Sequence, residues 1–135
     1  MIVTGSADKT LRIWNATDAR CLHTVEGHED EVVAVKFDPF GILAASGSLD
    51  NTARLWDLES GKEYMCLNGH KGQVVGVEFS TDGDLLITGS FDSTAKCWDI
   101  RTGKCVKTYD GHTQELSAAI INFGGEHVAT SSFDG

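Results

Sequence analysis

The chain has 135 residues, of which 41% are hydrophobic, enough in length and apolar content for one folded core. Its 20 Asp and Glu outnumber 11 Lys and Arg, giving a net charge of −9. That balance argues against nucleic acid and against an anionic membrane surface, since both recruit a basic face.

No apolar run approaches the ~18 residues of a membrane-spanning helix. The start, MIVTGSADK, lacks a basic stretch followed by an apolar block, so no secretory leader is expected. In chain order, MIVTGS (1–6) matches LLITGS (85–90), so the chain begins inside a repeating unit. The unit is clearest from Glu31 onward. EVVAVKF (31–37) reads as a strand and DPFG (38–41) as a turn; ILAASGS (42–48) is a second strand, turned tightly at Asp50-Asn51. TARLWDL (52–58) is a third strand, ESGK a turn, and Lys62–Asn68 a fourth strand. Gly69-His70 then leads into the next copy. Turn glycines recur in phase at 41, 83 and 125, at 61 and 103, and at 27, 69 and 111. The one proline, Pro39, falls in a turn, where its missing N–H costs little.

The period is 42 residues. Ser46–His70 and Thr88–His112 share 11 identities over 25 positions, and Thr4–His28 is a third copy. A fourth begins at Thr130 as TSSFDG. Expected unit bounds are 1–28 (partial), 29–70, 71–112 and 113–135 (partial), within a single domain. Such a period marks a repeat architecture. VVAVKF and VVGVEF are apolar at nearly every position, which predicts strands covered on both faces. The fourth strand is mixed and suits an outer edge. No helical period survives across the glycines. The sequence therefore predicts an all-β fold of stacked four-stranded antiparallel blades with the richest strand innermost.

Cys21, Cys66, Cys97 and Cys105 form no CxxC pair and are expected to be buried or half-buried free thiols in a reducing compartment. Asn15-Ala16-Thr17 is a glycosylation sequon by pattern, without meaning in the cytosol. His23 and His127 fall off phase and are expected at the surface. No nucleotide loop or metal-ligand spacing is present in the sequence, so neither cofactor nor metal is expected.

The GH…WD spacing, Gly27-His28 to Trp56-Asp57 and Gly69-His70 to Trp98-Asp99, resembles the WD40 repeat; Trp14-Asn15 departs mildly from it. The resemblance covers the whole chain. It implies a β-propeller arc of about three four-stranded antiparallel blades in an incomplete ring. It also implies a hydrogen-bonded chain of His, Ser/Thr, Asp and Trp in each blade. By position these are His28, Ser46, Asp50 and Trp56; then His70, Thr88, Asp92 and Trp98. His112, Thr130 and Asp134 lack a Trp, and Thr4, Asp8 and Trp14 lack a His. Ser, His and Asp are also the ingredients of a hydrolase triad. Repetition in phase, with no G-x-S-x-G elbow, favours the structural role, and no enzyme is expected.

Propellers of this kind bind partners on the face around the channel mouth. The matching positions are Glu31, Val33 and Leu49; Gln73, Val75 and Phe91; Glu115, Ser117 and Phe133; and Ala7 in the first copy. The resemblance thus implies a non-catalytic scaffold whose face has an apolar centre and an acidic rim, suited to a protein partner with basic groups. TGSFD strands, the entry GHTQEL and the turn Thr102–Cys105 also resemble the WD-repeat axonemal dynein assembly factors. That likeness implies a cytoplasmic, cilium-associated adaptor for outer dynein arms. The residues equally fit an adaptor of a ubiquitin ligase, chromatin or signalling complex. About three repeats are fewer than the 4–8 blades of a closed ring. Two expectations follow: part of a longer propeller, or a module that completes its ring with a second copy through open blade edges.

Overall fold

A computed structural model describes all residues, Met1–Gly135, as thirteen strands in four antiparallel sheets, without helices. The first sheet holds β1 (Ile2–Gly5), β2 (Leu11–Trp14) and β3 (Cys21–Val25). The second holds β4 (Val32–Phe37), β5 (Leu43–Ser48), β6 (Thr52–Asp57) and β7 (Glu63–Asn68). The third repeats it with β8 (Val74–Phe79), β9 (Leu85–Ser90), β10 (Ala95–Asp99) and β11 (Cys105–Tyr109). The fourth pairs β12 (Leu116–Ile121) with β13 (Val128–Ser132). Every sheet is a meander in chain order, as short turns between successive strands require.

The sheets stack, β1 beside β4, β4 beside β8 and β8 beside β12, as an open arc of propeller blades. Three apolar layers fill the gaps. Leu11, Ile13, Val25, Val32, Ala44, Trp56 and Leu58 join the first and second sheets. Ala45, Ala53, Leu55, Val74, Phe79, Leu86 and Trp98 join the second and third. Ile87, Ala95, Cys97, Leu116 and Ala119 join the third and fourth. Strand alternation explains how one strand serves two layers: Ala44 faces one gap and Ala45 the next, and Leu86 and Ile87 repeat this one sheet on.

Blades approach closely only where a side chain is missing. A Cβ on Gly47 would lie 2.9 Å from both the Val74 carbonyl oxygen and Val74 Cγ1 of the next sheet. Gly89 is in phase with it but would meet the softer Ala119 Cβ at 3.1 Å. We expect Gly47→Ala to destabilise by about 1–3 kcal/mol and Gly89→Ala by less, measured by urea unfolding. Equal, negligible effects would mean the sheets are not in register contact there.

Burial departs from expectation in two places. The strands buried throughout are the second ones, β5 and β9, not β4 and β8. A second strand is flanked by partners in its own sheet and covered by the sheets before and behind it. The inner strand borders the open axis, and Val33 and Lys36 of β4 are exposed. Among the cysteines, only Cys97 is buried; Cys21, Cys66 and Cys105 are exposed because β3, β7 and β11 form the outer rim.

The inner pairs also carry a shared irregularity. The β4–β5 register steps from Val32↔Ser48 to Ala34↔Gly47, leaving Val33 unpaired. Val75 and Ser117 are skipped likewise in the third and fourth sheets. Each is a bulge, two residues opposing one, which re-aims the extra side chain.

Candidate functional site

Each complete sheet holds a buried relay of hydrogen bonds. Trp56 Nε1 donates to Ser46 Oγ at 2.8 Å, Ser46 Oγ lies 2.7 Å from His28 Nε2, and His28 Nδ1 lies 2.7 Å from Asp50 Oδ2. In the third sheet, Trp98 Nε1 donates to Thr88 Oγ1 at 2.9 Å. Thr88 Oγ1 lies 2.7 Å from His70 Nε2, and His70 Nδ1 lies 2.9 Å from Asp92 Oδ2. The fourth sheet has His112 between Thr130 (2.9 Å) and Asp134 (3.0 Å) without a Trp. In the first, Trp14 donates to Thr4 at 2.9 Å, and Asp8 has no histidine to meet.

With a neutral imidazole, the protons of the relay run in one direction. The tryptophan N–H takes a lone pair of the hydroxyl; the hydroxyl proton goes to histidine Nε2, and Nδ1–H goes to the carboxylate. That order needs a neutral imidazole. Burial pushes His28 and His70 below the ordinary 6.5, outweighing the carboxylates that pull them upward. Burial would raise Asp50 and Asp92, but hydrogen bonds outweigh it and hold both at about 2. For Asp50 the donors are the Thr52 hydroxyl and N–H, the Glu29 N–H and His28.

Two contributors escape a reading by motif. Thr52 and Thr94 donate their hydroxyls to Asp50 and Asp92 at 2.7 and 2.6 Å, and the recurrent D-x-T at 8–10, 50–52 and 92–94 could have flagged them. Ser48 and Ser90 are buried, donate to the Asp30 and Gly72 carbonyls, and accept the Asp50 and Asp92 N–H groups. Their phase, 42 residues, was equally visible.

The Ser46–His28–Asp50 distances are those of a hydrolytic triad, but the surroundings are not. Ser46 is wholly buried and its oxygen already accepts the Trp56 N–H, so no substrate carbon can reach it. The set is a cross-brace tying the loop before the inner strand (His28) to β5, β6 and the turn between them.

Above the braces lies the candidate face. The Leu49, Phe91 and Phe133 N–H groups donate to the Glu31, Gln73 and Glu115 carbonyls at 3.0, 2.9 and 3.1 Å, so each sheet sets one apolar residue beside the head of its inner strand. Val33 is 47% exposed, Phe91 39% and Phe133 63%. Leu49, Gln73 and Val75 are half-buried; Ala7, Glu31, Glu115 and Ser117 are exposed. Glu29 and Asp30, from the GHED run before Glu31, extend the acidic rim, and Lys9 Nζ spans to the Glu29 carbonyl at 2.8 Å. His127 is exposed; His23 is half-buried and its Nε2 sits 3.1 Å from the Glu59 carbonyl oxygen of the neighbouring sheet.

A family model described as "WD domain, G-beta repeat" matches residues 1–15, 19–57, 61–99 and 103–135. Among curated proteins, the chain is similar to a "Lissencephaly-1 homolog" from Dictyostelium discoideum, 50% identical over 40 residues. That stretch is 30% of this chain and 10% of the relative. It is also similar to "Dynein assembly factor with WD repeat domains 1" from Xenopus laevis, 45% identical over 40 residues, 29% of this chain and 10% of the relative. A "Guanine nucleotide-binding protein subunit beta" from Zea mays is 50% identical over 42 residues, 30% of this chain and 11% of the relative. The match thus spans about a tenth of the length of these relatives.

Proposed function

The chain belongs to the WD40-repeat family, and from that premise we propose that it is a docking scaffold that captures a protein partner on the face around Val33, Leu49, Phe91 and Phe133. Repeat proteins of this family generally mediate protein–protein interaction, typically without catalysis. The observation that carries the proposal is the repeated pairing of an exposed apolar side chain with a bulged inner strand, all at one end of the sheets. Exposed aromatics inside a polar rim are what a binding hot spot needs. Glu29, Glu31 and Glu115 favour a partner with lysine or arginine beside its apolar anchor.

The likeness to a dynein assembly factor supports a finer role in dynein assembly; within the same proposal the chain is a cytoplasmic, cilium-associated adaptor for axonemal dynein arms. The likeness to a guanine nucleotide-binding protein subunit supports a second role, an adaptor in a signalling complex, using the same face. The edge of β13 not paired to β12 also offers a second copy a place to dock, which a dimer mass in solution would reveal.

The test is capture from ciliated-cell extract with the wild-type chain and with a Phe91→Glu/Phe133→Glu variant. Partners should fall at least roughly tenfold, with stability within about 0.5 kcal/mol of wild type because both rings are exposed. Equal recovery of the same partners would refute the face. Dynein-arm subunits among the lost partners support the first role, and G-protein subunits the second.

A further inference from the structure

The second and third sheets are alike at nearly every structural position, so a difference between them is informative. Six residues line a cleft of about 300 Å³ in the third sheet: Gly69, Lys71, Asp92, Thr94, Lys96 and Thr108. None is apolar. Their counterparts one repeat earlier are Gly27, Glu29, Asp50, Thr52, Arg54 and Cys66, and there the space is filled. Arg54 Nη1 donates to Glu63 Oε2 across it. A Cβ placed on Gly27 would lie 2.9 Å from that nitrogen and 3.2 Å from that oxygen. A Cβ on Gly69 would meet only the Trp98 ring within 4 Å.

The reason lies in the substitutions between repeats. Glu63 is replaced in phase by Cys105, so Lys96, which stands where Arg54 stands, has no carboxylate to meet. Its amine turns to Thr108 Oγ1 at 3.1 Å. Glu29 is replaced by Lys71, which is exposed and forms no ion pair. The negative group in the cleft, Asp92, is already committed: Oδ1 accepts from the Thr94 N–H and hydroxyl, and Oδ2 from His70 and the Lys71 N–H.

We propose that this cleft receives a carboxylate from outside the chain, a glutamate side chain of an acidic segment of a partner protein, seated between Lys71 and Lys96 where Glu63 sits one repeat earlier. Lys96 keeps two of its three N–H groups free for it, and the Thr108 hydroxyl can donate as well. Glutamate is the acid of choice because the repeat itself uses glutamate at that point. The chain's overall negative charge does not forbid it, since charges farther away than about 8 Å are largely screened at physiological salt. The cleft borders the apolar face through Lys71, the counterpart of Glu29, and through Asp92, next to Phe91, but it contains no apolar residue of its own.

The test is an amide NMR titration of the full chain with acetyl-Gly-Glu-Gly-amide, against the Gln and phosphoserine peptides. An ion pair of this exposure is weak, so the titration runs into the millimolar range. Saturable shifts are expected at Lys71, Thr94, Lys96 and Thr108 with the Glu peptide and not with the Gln peptide. Cys105→Glu restores the internal acid and should weaken binding roughly fivefold or more, as should Lys96→Gln, while Cys105→Ser should leave it intact. Equal response to the Gln peptide, full binding by Cys105→Glu, or saturation only by the phosphoserine peptide would overturn the proposal.

Discussion

Replacing Trp56 with alanine is expected to lower the free energy of unfolding by about 3–5 kcal/mol. The indole is 1% exposed and packs in the layer that joins the first sheet to the second. Its removal deletes a large apolar surface and leaves a cavity between blades rather than within one. It also frees a lone pair of the buried Ser46 oxygen, whose remaining partners are His28 and, at 3.5 Å, the Arg54 carbonyl. Trp56→Phe separates the two contributions, keeping most of the ring and losing the N–H, and should cost about 1–3 kcal/mol. Trp14 is the internal control: it bonds Thr4 alike but is only half-buried, so Trp14→Ala should cost clearly less. Urea unfolding of the three variants decides. Equal losses at positions 14 and 56 would show that burial of the indole between sheets is not what joins them.

Asp50→Ala should destabilise by about 3 kcal/mol and change the response to acid. The carboxylate gathers four donors from two segments, His28-Glu29 and Thr52, and alanine leaves the buried His28 Nδ1–H without its acceptor. Linkage fixes the sign. Asp50 and Asp92 titrate at about 2 in the folded chain against 3.8 unfolded, so their contribution is present above 3.8 and is lost as pH falls toward 2. His28 and His70 are also depressed, so the unfolded chain takes up protons first below 6.5. Both effects point the same way. Thermal stability of the wild type should decline below about pH 6.5 and steepen below 4, and the steep part should be shallower in Asp50→Ala. Asp134→Ala, with its histidine half-exposed, should matter less. A wild-type profile flat from pH 7 to 3 would exclude the relay as a source of stability.

Much of this architecture can be read from spacing alone. Glycine and Asp turn signals at a fixed interval delimit the strands, and the 42-residue recurrence of Trp, His and Asp says that whichever residues meet in one blade meet again in the next. Burial rank cannot be read the same way. VVAVKF is more apolar than LAASGS, yet the second strand is the covered one, because coverage depends on a strand's place between neighbouring sheets and not on its own composition. The bulges at Val33 and Val75 are hidden for a related reason. A doublet of valines looks alike whether or not the ladder skips one. The exposure of Cys21, Cys66 and Cys105 follows from rim position, which a half-apolar strand does not announce. The cleft at Lys96 is legible only by subtraction, through the glutamate that one repeat has and the next lacks.

Because Val33, Val75 and Ser117 sit outside the backbone ladder, strand pairing makes no demand on which amino acid occupies them, and only Ser117 is tied to its sheet by a side-chain hydrogen bond, to Ser131 Oγ at 2.8 Å. Their codons could be randomised together, and the resulting collection would share one scaffold while differing in what it grips. Natural diversification and laboratory selection would find the same three adjustable points, spaced one per blade.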